Sequence, residues 1–148
     1  MRLYGQVSSH RELEWAWVDA RLREAGTYWV AGRSDGPPHP RPVWGVWASG
    51  CLHLSIGTPT TRTALAIDPT VTVHLESGTD VAIVEGRAVM PPTDPNVLAQ
   101  YDQKYNWSYD VEAFGPLICV APSTILAWRV AGWAGRDGFQ RASRWDFG

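Results

Sequence analysis

Period-two alternation of apolar and polar residues dominates the middle of the chain. Residues 27–33 (TYWVAGR), 41–47 (RPVWGVW), 51–56 (CLHLSI), 71–76 (VTVHLE) and 81–90 (VAIVEGRAVM) all have strand length and strand character. Their Val, Ile, Trp and Tyr content suits a pleated, half-buried surface, and the clusters SDGPPHP, ASG and SGTD between them supply turns. Residues 117–121 and 124–130 return to the same character later in the chain. Gly45 and Gly86 fall inside strands, where glycine marks a bend or a close backbone approach. Five short strands with bending glycines predict a small barrel rather than a flat sheet.

Helical spacing interrupts this pattern in three places. Ser9 followed by Glu12 forms a capping box, and Trp15, Val18, Leu22 and Ala25 then share one stripe, with Gly26 as a stop. This predicts a helix over 9–25. Residues 57–69 (GTPTTRTALAIDP) predict a short helix directly after a strand, with Thr58 as N-cap, Pro59 in the first turn and Asp68-Pro69 as terminator. A third helix is predicted from Asp94 to Tyr105. The tail, 131–148, is polar and Arg-rich yet holds Trp and Phe, which predicts that it docks on the body or on a partner subunit.

Composition narrows the classes. The chain has 148 residues, 45% hydrophobic and 19% charged, enough for one domain with a sizeable core. A net charge of −2 lacks the basic excess that phosphate neutralisation along a duplex requires, so no nucleic-acid partner is expected. No apolar run approaches the length of a membrane span and no leader is evident, so the expected setting is cytoplasmic, with no membrane partner. Two cysteines, Cys51 and Cys119, make neither a disulfide framework nor a four-thiolate metal site. Nine tryptophans stand out, and most are expected in the core.

The common catalytic motifs are missing: no G-x-G-x-x-G, Walker loop, H-E-x-x-H or G-x-S-x-G occurs. His10, His39, His53 and His74 share no metal-ligand spacing, so no metal site is expected; His53 and His74, both in strands, have the option of facing one ligand. The informative segment is SIGTPTTRT, 55–63. A strand ends at Ile56 and a helix starts near Pro59, gathering free backbone N–H groups, the Thr60 and Thr61 hydroxyls and the Arg62 guanidinium. Those are the parts of a phosphate site. They are equally the parts of a Thr-capped surface helix with a solvated Arg. In RPVWGVW, Pro42 removes a ladder donor, which predicts an edge or an exposed backbone stretch beside Trp44.

In order and spacing, the helix ending at Gly26, HPRPVWGVW at 39–47, SIGTPTTR at 55–62, ALAIDPTVTVHLESGTDVAIVEGRA at 64–88 and the ending Arg144-Trp145-Asp146-Phe147 resemble the pyridoxamine 5′-phosphate oxidase-like FMN-binding split-barrel family. The likeness spans about residues 9–147. It implies a mainly β fold with flanking helices, a six-stranded split barrel, and a homodimer with a flavin in each of two grooves between subunits. By position, Arg41, Pro42, Val43 and Trp44 would line the flavin ring, Ser55 and Ile56 the ribityl chain and ring edge, and Thr61 and Arg62 the phosphate. Trp145, with Arg129 or Trp128, would reach in from the second subunit. The implied function is a flavin-dependent oxidoreductase that binds FMN and moves hydride to or from a small organic substrate, with a nicotinamide as possible donor. A deazaflavin-dependent reductase and a non-catalytic flavin or haem module are the alternatives on this fold. No side chain stands out as a general acid or base. Two departures matter: many members carry two adjacent basic residues in the phosphate segment, whereas Arg62 is followed by Thr63, and RASRWDFG does not match the basic substrate motif of the true oxidases.

Overall fold

The computed structural model describes residues 2–3, 13–129 and 142–148. Its strands are β1 (Arg2–Leu3), β2 (Tyr28–Gly32), β3 (Arg41–Ala48), β4 (Cys51–Ser55), β5 (Thr70–His74), β6 (Asp80–Val89), β7 (Ile118–Arg129) and β8 (Ser143–Asp146). The helices are α1 (Trp15–Glu24), α2 (Pro59–Ile67), α3 (Pro95–Tyr105) and α4 (Val111–Phe114). Strands pair antiparallel in the order β7-β4-β3-β2-β5-β6, and β6 returns to β7, which closes a six-stranded ring. The closed ring gives each of these six strands a neighbour on both sides, although β3 overhangs β4 at Arg41–Val43. Alternation explains the inside: Tyr28 and Val30, Leu52 and Leu54, Val71 and Val73, and Ala82 and Val84 face one core.

The strands predicted separately at 117–121 and 124–130 are one strand. Glu85 faces Thr124 while Gly86 faces Pro122, so Ser123 is an extra residue, a β-bulge, and pairing continues on both sides of it. The Ser123 hydroxyl donates to the Glu85 carbonyl at 3.0 Å. At this point β7 also changes its other neighbour. Residues 118–120 pair with β4, and residues 124–127 pair with β8, which carries β1 on its far side. The described end of the tail therefore docks on the chain's own body; 130–141 lie outside the described residues.

The first helix starts later than predicted. Leu13 and Glu14 are not helical, α1 begins at Trp15, and Glu14 at its N-cap makes no side-chain cap bond. Ser9 and Glu12 lie outside the described residues. What fixes this start is packing: the Trp15 ring meets Trp145, Phe147 and Trp47 edge-on at 5.6, 5.9 and 6.4 Å. Val18 and Leu22 extend the same stripe into the barrel core.

The other two predicted helices keep their bounds. Thr58 is the N-cap of α2 with Pro59 next, and the Asp94 carboxylate accepts from Asn96 N–H at the start of α3. α3 lies against the outside of β3, where Val97 and Tyr101 pack with Val46, Ala48 and Leu117 in a second core. β3 is consequently buried on both faces from Gly45 to Ala48.

Candidate cofactor site

Two local features place the site. β2 pairs with β3 at Arg41, Pro42 and Val43, whereas β4 pairs with β3 only from Trp44, which faces Ser55. Arg41–Val43 thus has a ladder neighbour on one side only. On the other side β4 has already turned, through buried Ile56 and exposed Gly57, into α2. This is the exposed backbone stretch predicted from Pro42. Arg41 is exposed; its guanidinium donates to Pro40 O at 2.9 Å and lies 3.3 Å from His39 Nδ1. Trp44, 44% exposed, stacks on Tyr105 with ring centroids 4.4 Å apart and planes 1° apart.

α2 divides its residues between two sides. Thr61 and Leu65 are buried, and Thr58 makes no side-chain cap bond. Arg62 Nη1 donates to Ile56 O at 2.9 Å and to Phe114 O at 3.1 Å, tying α2 to the end of β4 and to α4. The outer face carries Thr60, Thr63, Ala64 and Ile67, at the helical spacing i, i+3, i+4, i+7. Between this face and the loop 33–39 runs an open groove of about 900 Å³, with Arg33, Asp35, His39, Thr60, Thr63 and Ile67 among its walls. Thr61 and Arg62 are not among its walls: Thr61 is buried, and Arg62 is turned toward the Ile56 and Phe114 carbonyls. The polar groups on the groove side are Thr60 and Thr63, with Arg33 and His39 opposite.

No protein-family profile and no curated protein matches the sequence. Solved structures do match. A Listeria innocua protein described as a candidate pyridoxamine 5′-phosphate oxidase superposes with a TM-score of 0.59 at 18% identity, covering 74% of this chain and 94% of that one. The FAD binding protein from Mycobacterium smegmatis gives 0.57 at 18% identity, over 79% and 95%. An F420 reductase gives 0.57 at 19% identity, over 70% and 92%. The fold is the pyridoxamine 5′-phosphate oxidase-like split barrel.

Trp145 is 1% exposed and packs in the core of its own chain, opposite Ile125. Arg129 pairs with Asp80 at 3.4 Å and lies over the Trp17 ring. His53 on β4 and His74 on β5 are separated by β3 and β2, which overturns the idea of one shared ligand. His53 approaches Ala48 O and His74 stacks on Trp29. Burial pushes the His53 pKa down, keeping the ring neutral. Among the described residues no group of three or more His, Cys, Asp or Glu side chains is placed to hold a metal. Nor is any described helix long and apolar enough to cross a membrane.

Behind Trp44, α3 repairs a gap in the split barrel. β2 begins at Tyr28, opposite Val43, so Gly45 lies beyond its end. Tyr105 OH accepts from Gly45 N–H at 2.9 Å, and Lys104 Nζ donates to Gly45 O at 2.9 Å and to Tyr28 OH at 3.0 Å. A Cβ at Gly45 would sit 2.8 Å from the His53 carbonyl oxygen, which explains the glycine. Burial pushes the Lys104 pKa down to about 8. Between that value and the ordinary 10.5 the unfolded chain holds more protons than the folded one, so this group makes stability rise with pH. Tyr28, whose pKa burial raises, opposes the trend only above its ordinary 10.0. The Cys119 thiol, held above its ordinary 9.0, opposes the rise from about pH 9 upward, so the test is a difference: between pH 8 and pH 10 the urea midpoint is expected to gain more, or lose less, in the wild type than in Lys104→Met, and equal slopes would refute the assignment. Burial, with Cys51 beside it, pushes the Cys119 thiol up to about 12, so it is a packing residue rather than a nucleophile.

Proposed function

We propose that this protein is a cytoplasmic flavin-dependent oxidoreductase that binds FMN and transfers hydride to or from a small organic substrate. The observation that carries the reading is the one-sided backbone of Arg41–Val43 next to the α2 N-terminus. Unused main-chain groups there suit the polar edge of a flat heterocycle, with Ser55 and Ile56 at the departing end of β4. The first turn of α2, left without a side-chain cap, suits a phosphate together with the Thr60 and Thr63 hydroxyls. Arg41, beside His39, and Arg33 on the loop supply fixed positive charge on that side, which answers the missing second basic residue after Arg62. A bound flavin supplies the hydride chemistry itself, while these residues orient it and fix its charge environment. A nicotinamide is the proposed donor.

A second copy of the chain is the proposed partner, covering the exposed rings of Trp44, Trp107 and Phe114. A deazaflavin is the second reading, favoured by the likeness to the F420 reductase; its absorbance maximum lies at shorter wavelength than that of oxidised FMN.

An FMN titration tests the site. Arg41→Ala is expected to weaken FMN binding about 10-fold, the scale of one charge-assisted hydrogen bond. Arg62→Ala is expected to leave the FMN Kd within about twofold while costing roughly 1–2 kcal/mol of stability, since it leaves two carbonyls without their donor. The reverse pattern would restore Arg62 to the phosphate and overturn the arrangement. Failure of both FMN and the deazaflavin to bind would sink the reading.

A further inference from the structure

Neither cysteine takes part in the proposed flavin site, and the barrel brings the two together. On β4, Leu52 and Leu54 are fully buried in the barrel core, so Cys51 and His53 point to the outer wall. On β7, Ile118 and Val120 are the core residues, and Cys119 between them also points outward. His53 faces Cys119 across the ladder, which places Cys51, two residues before His53, on the diagonal from Cys119. The two thiols meet there and share a hydrogen bond. Cys119 is 7% exposed. Cys51, next to the Ser49-Gly50 turn, is half-buried and gives the pair its opening to solvent.

Spacing decides what such a pair can hold. Diagonal neighbours in an antiparallel ladder stand about 7–8 Å apart at Cα. A disulfide spans at most about 6.8 Å and needs its sulfurs about 2.05 Å apart, so the diagonal is too wide for direct closure. A metal ion held in line between two thiolates sets the sulfurs roughly 4.6 Å apart, twice a metal–thiolate bond of about 2.3 Å. Two thiols already in hydrogen-bond contact need little rearrangement to reach that separation.

The surroundings fix the coordination number and the charge. His53 Nε2 lies 3.3 Å from the Ala48 carbonyl oxygen, so the ring is engaged with the hairpin backbone. Among the described residues no third His, Cys, Asp or Glu completes a ligand group with the pair. Zinc takes four ligands and calcium takes many oxygens, so for both the set is incomplete. For a soft d10 ion that accepts two ligands in a line the set is complete, and thiolate is the ligand such ions prefer. Burial, with the Cys51 thiol beside it, pushes the Cys119 thiol up to about 12, so this wall resists a net negative charge. Two thiolates neutralise a divalent ion, whereas a monovalent ion leaves one negative charge uncompensated.

We infer that Cys51 and Cys119 form a linear two-thiolate site for a soft d10 metal ion, with Hg2+ held in preference to Cu+. Binding replaces two S–H bonds by two S–metal bonds and releases two protons to solvent, with no change of oxidation state. The site lies at the turn end of β4, about 13 Å along the strand from Ser55, and does not depend on the flavin reading.

Titrations of the reduced full chain with Hg2+, Cu+ and Zn2+ test the site. They are followed by thiolate-to-metal absorption in the ultraviolet and by the glutathione concentration that strips half the ion. The wild type is expected to hold one Hg2+ per chain. Cys51→Ser, at a half-buried position, is expected to lose it at about 100-fold less glutathione, because a pre-placed second ligand adds about 10²–10⁴ in affinity. Equal resistance to glutathione in the two proteins would overturn the pair as a site. One Hg2+ per two chains would place the ion between molecules and overturn it as well. Displacement of Hg2+ by equimolar Zn2+ would reveal further ligands and overturn the linear set. Cu+ that resists glutathione better than Hg2+ does would overturn the charge preference and keep the two-thiolate site. An internal disulfide formed in the folded protein by diamide would overturn the diagonal separation.

Discussion

Replacing Trp145 by alanine is expected to cost about 3–5 kcal/mol, the range for deleting a fully buried large aromatic. The side chain is 1% exposed, and its ring packs edge-on against Trp15, which in turn meets Trp47 and Phe147. Removing it opens a void where β8, β7 and α1 converge. A domain of this size has a total stability of order 5–15 kcal/mol, so the variant should show a large fall in its urea midpoint. Trp145→Phe should recover a substantial part. A midpoint unchanged within error would show that the core does not depend on this residue. If instead flavin affinity fell with stability intact, Trp145 would belong to a groove after all.

Gly86→Ala should be nearly as damaging, for a different reason. A Cβ at Gly86 would overlap the Ala121 carbonyl oxygen, and it would lie 3.0 Å from the carbonyl carbon and 3.2 Å from the Pro122 Cα. These are backbone atoms, held by pairing on both sides of the Ser123 bulge. No rotamer change relieves the overlap; the bulge itself must open. A cost of at least about 2–3 kcal/mol follows. Gly78→Ala is the matched control, since a Cβ there meets nothing within 4 Å. Equal stabilities for the two variants would refute the close approach.

The sequence was most legible where local period and tertiary environment agree. β4, β5 and β6 alternate because each has one face on the barrel core, and α2 was bounded correctly because Pro59 and Asp68-Pro69 are local signals. It was least legible where a distant contact decides. The start of α1 follows Trp15 and its partners Trp145 and Trp47, some 130 and 32 residues away, not a capping pattern upstream. The bulge that joins two predicted strands depends on Gly86 lying opposite Pro122.

The site divides in the same way. The open backbone at Arg41–Val43 was readable from Pro42. Arg62 was assigned to phosphate by residue type, and nothing local announced its bonds to the Ile56 and Phe114 carbonyls. With Thr61 and Leu65 inward, the outward set is Thr60, Thr63, Ala64 and Ile67, a spacing visible in the sequence. Nothing local marked loop residues Arg33 and His39 as their partners across the groove.

The exchange of neighbours along β7 bears on how the chain is made. Its first half borders β4, its second half borders β8, and its whole length closes against β6. Ring closure therefore waits for residue 129, and the tryptophan that fills the core arrives only at 145. During synthesis the earlier strands must persist with an unfilled interior. Contacts so distant in sequence favour slow folding and prolonged exposure of apolar strands. For this chain, premature termination or a stall within the last twenty residues should yield an aggregating species rather than a shortened but native one.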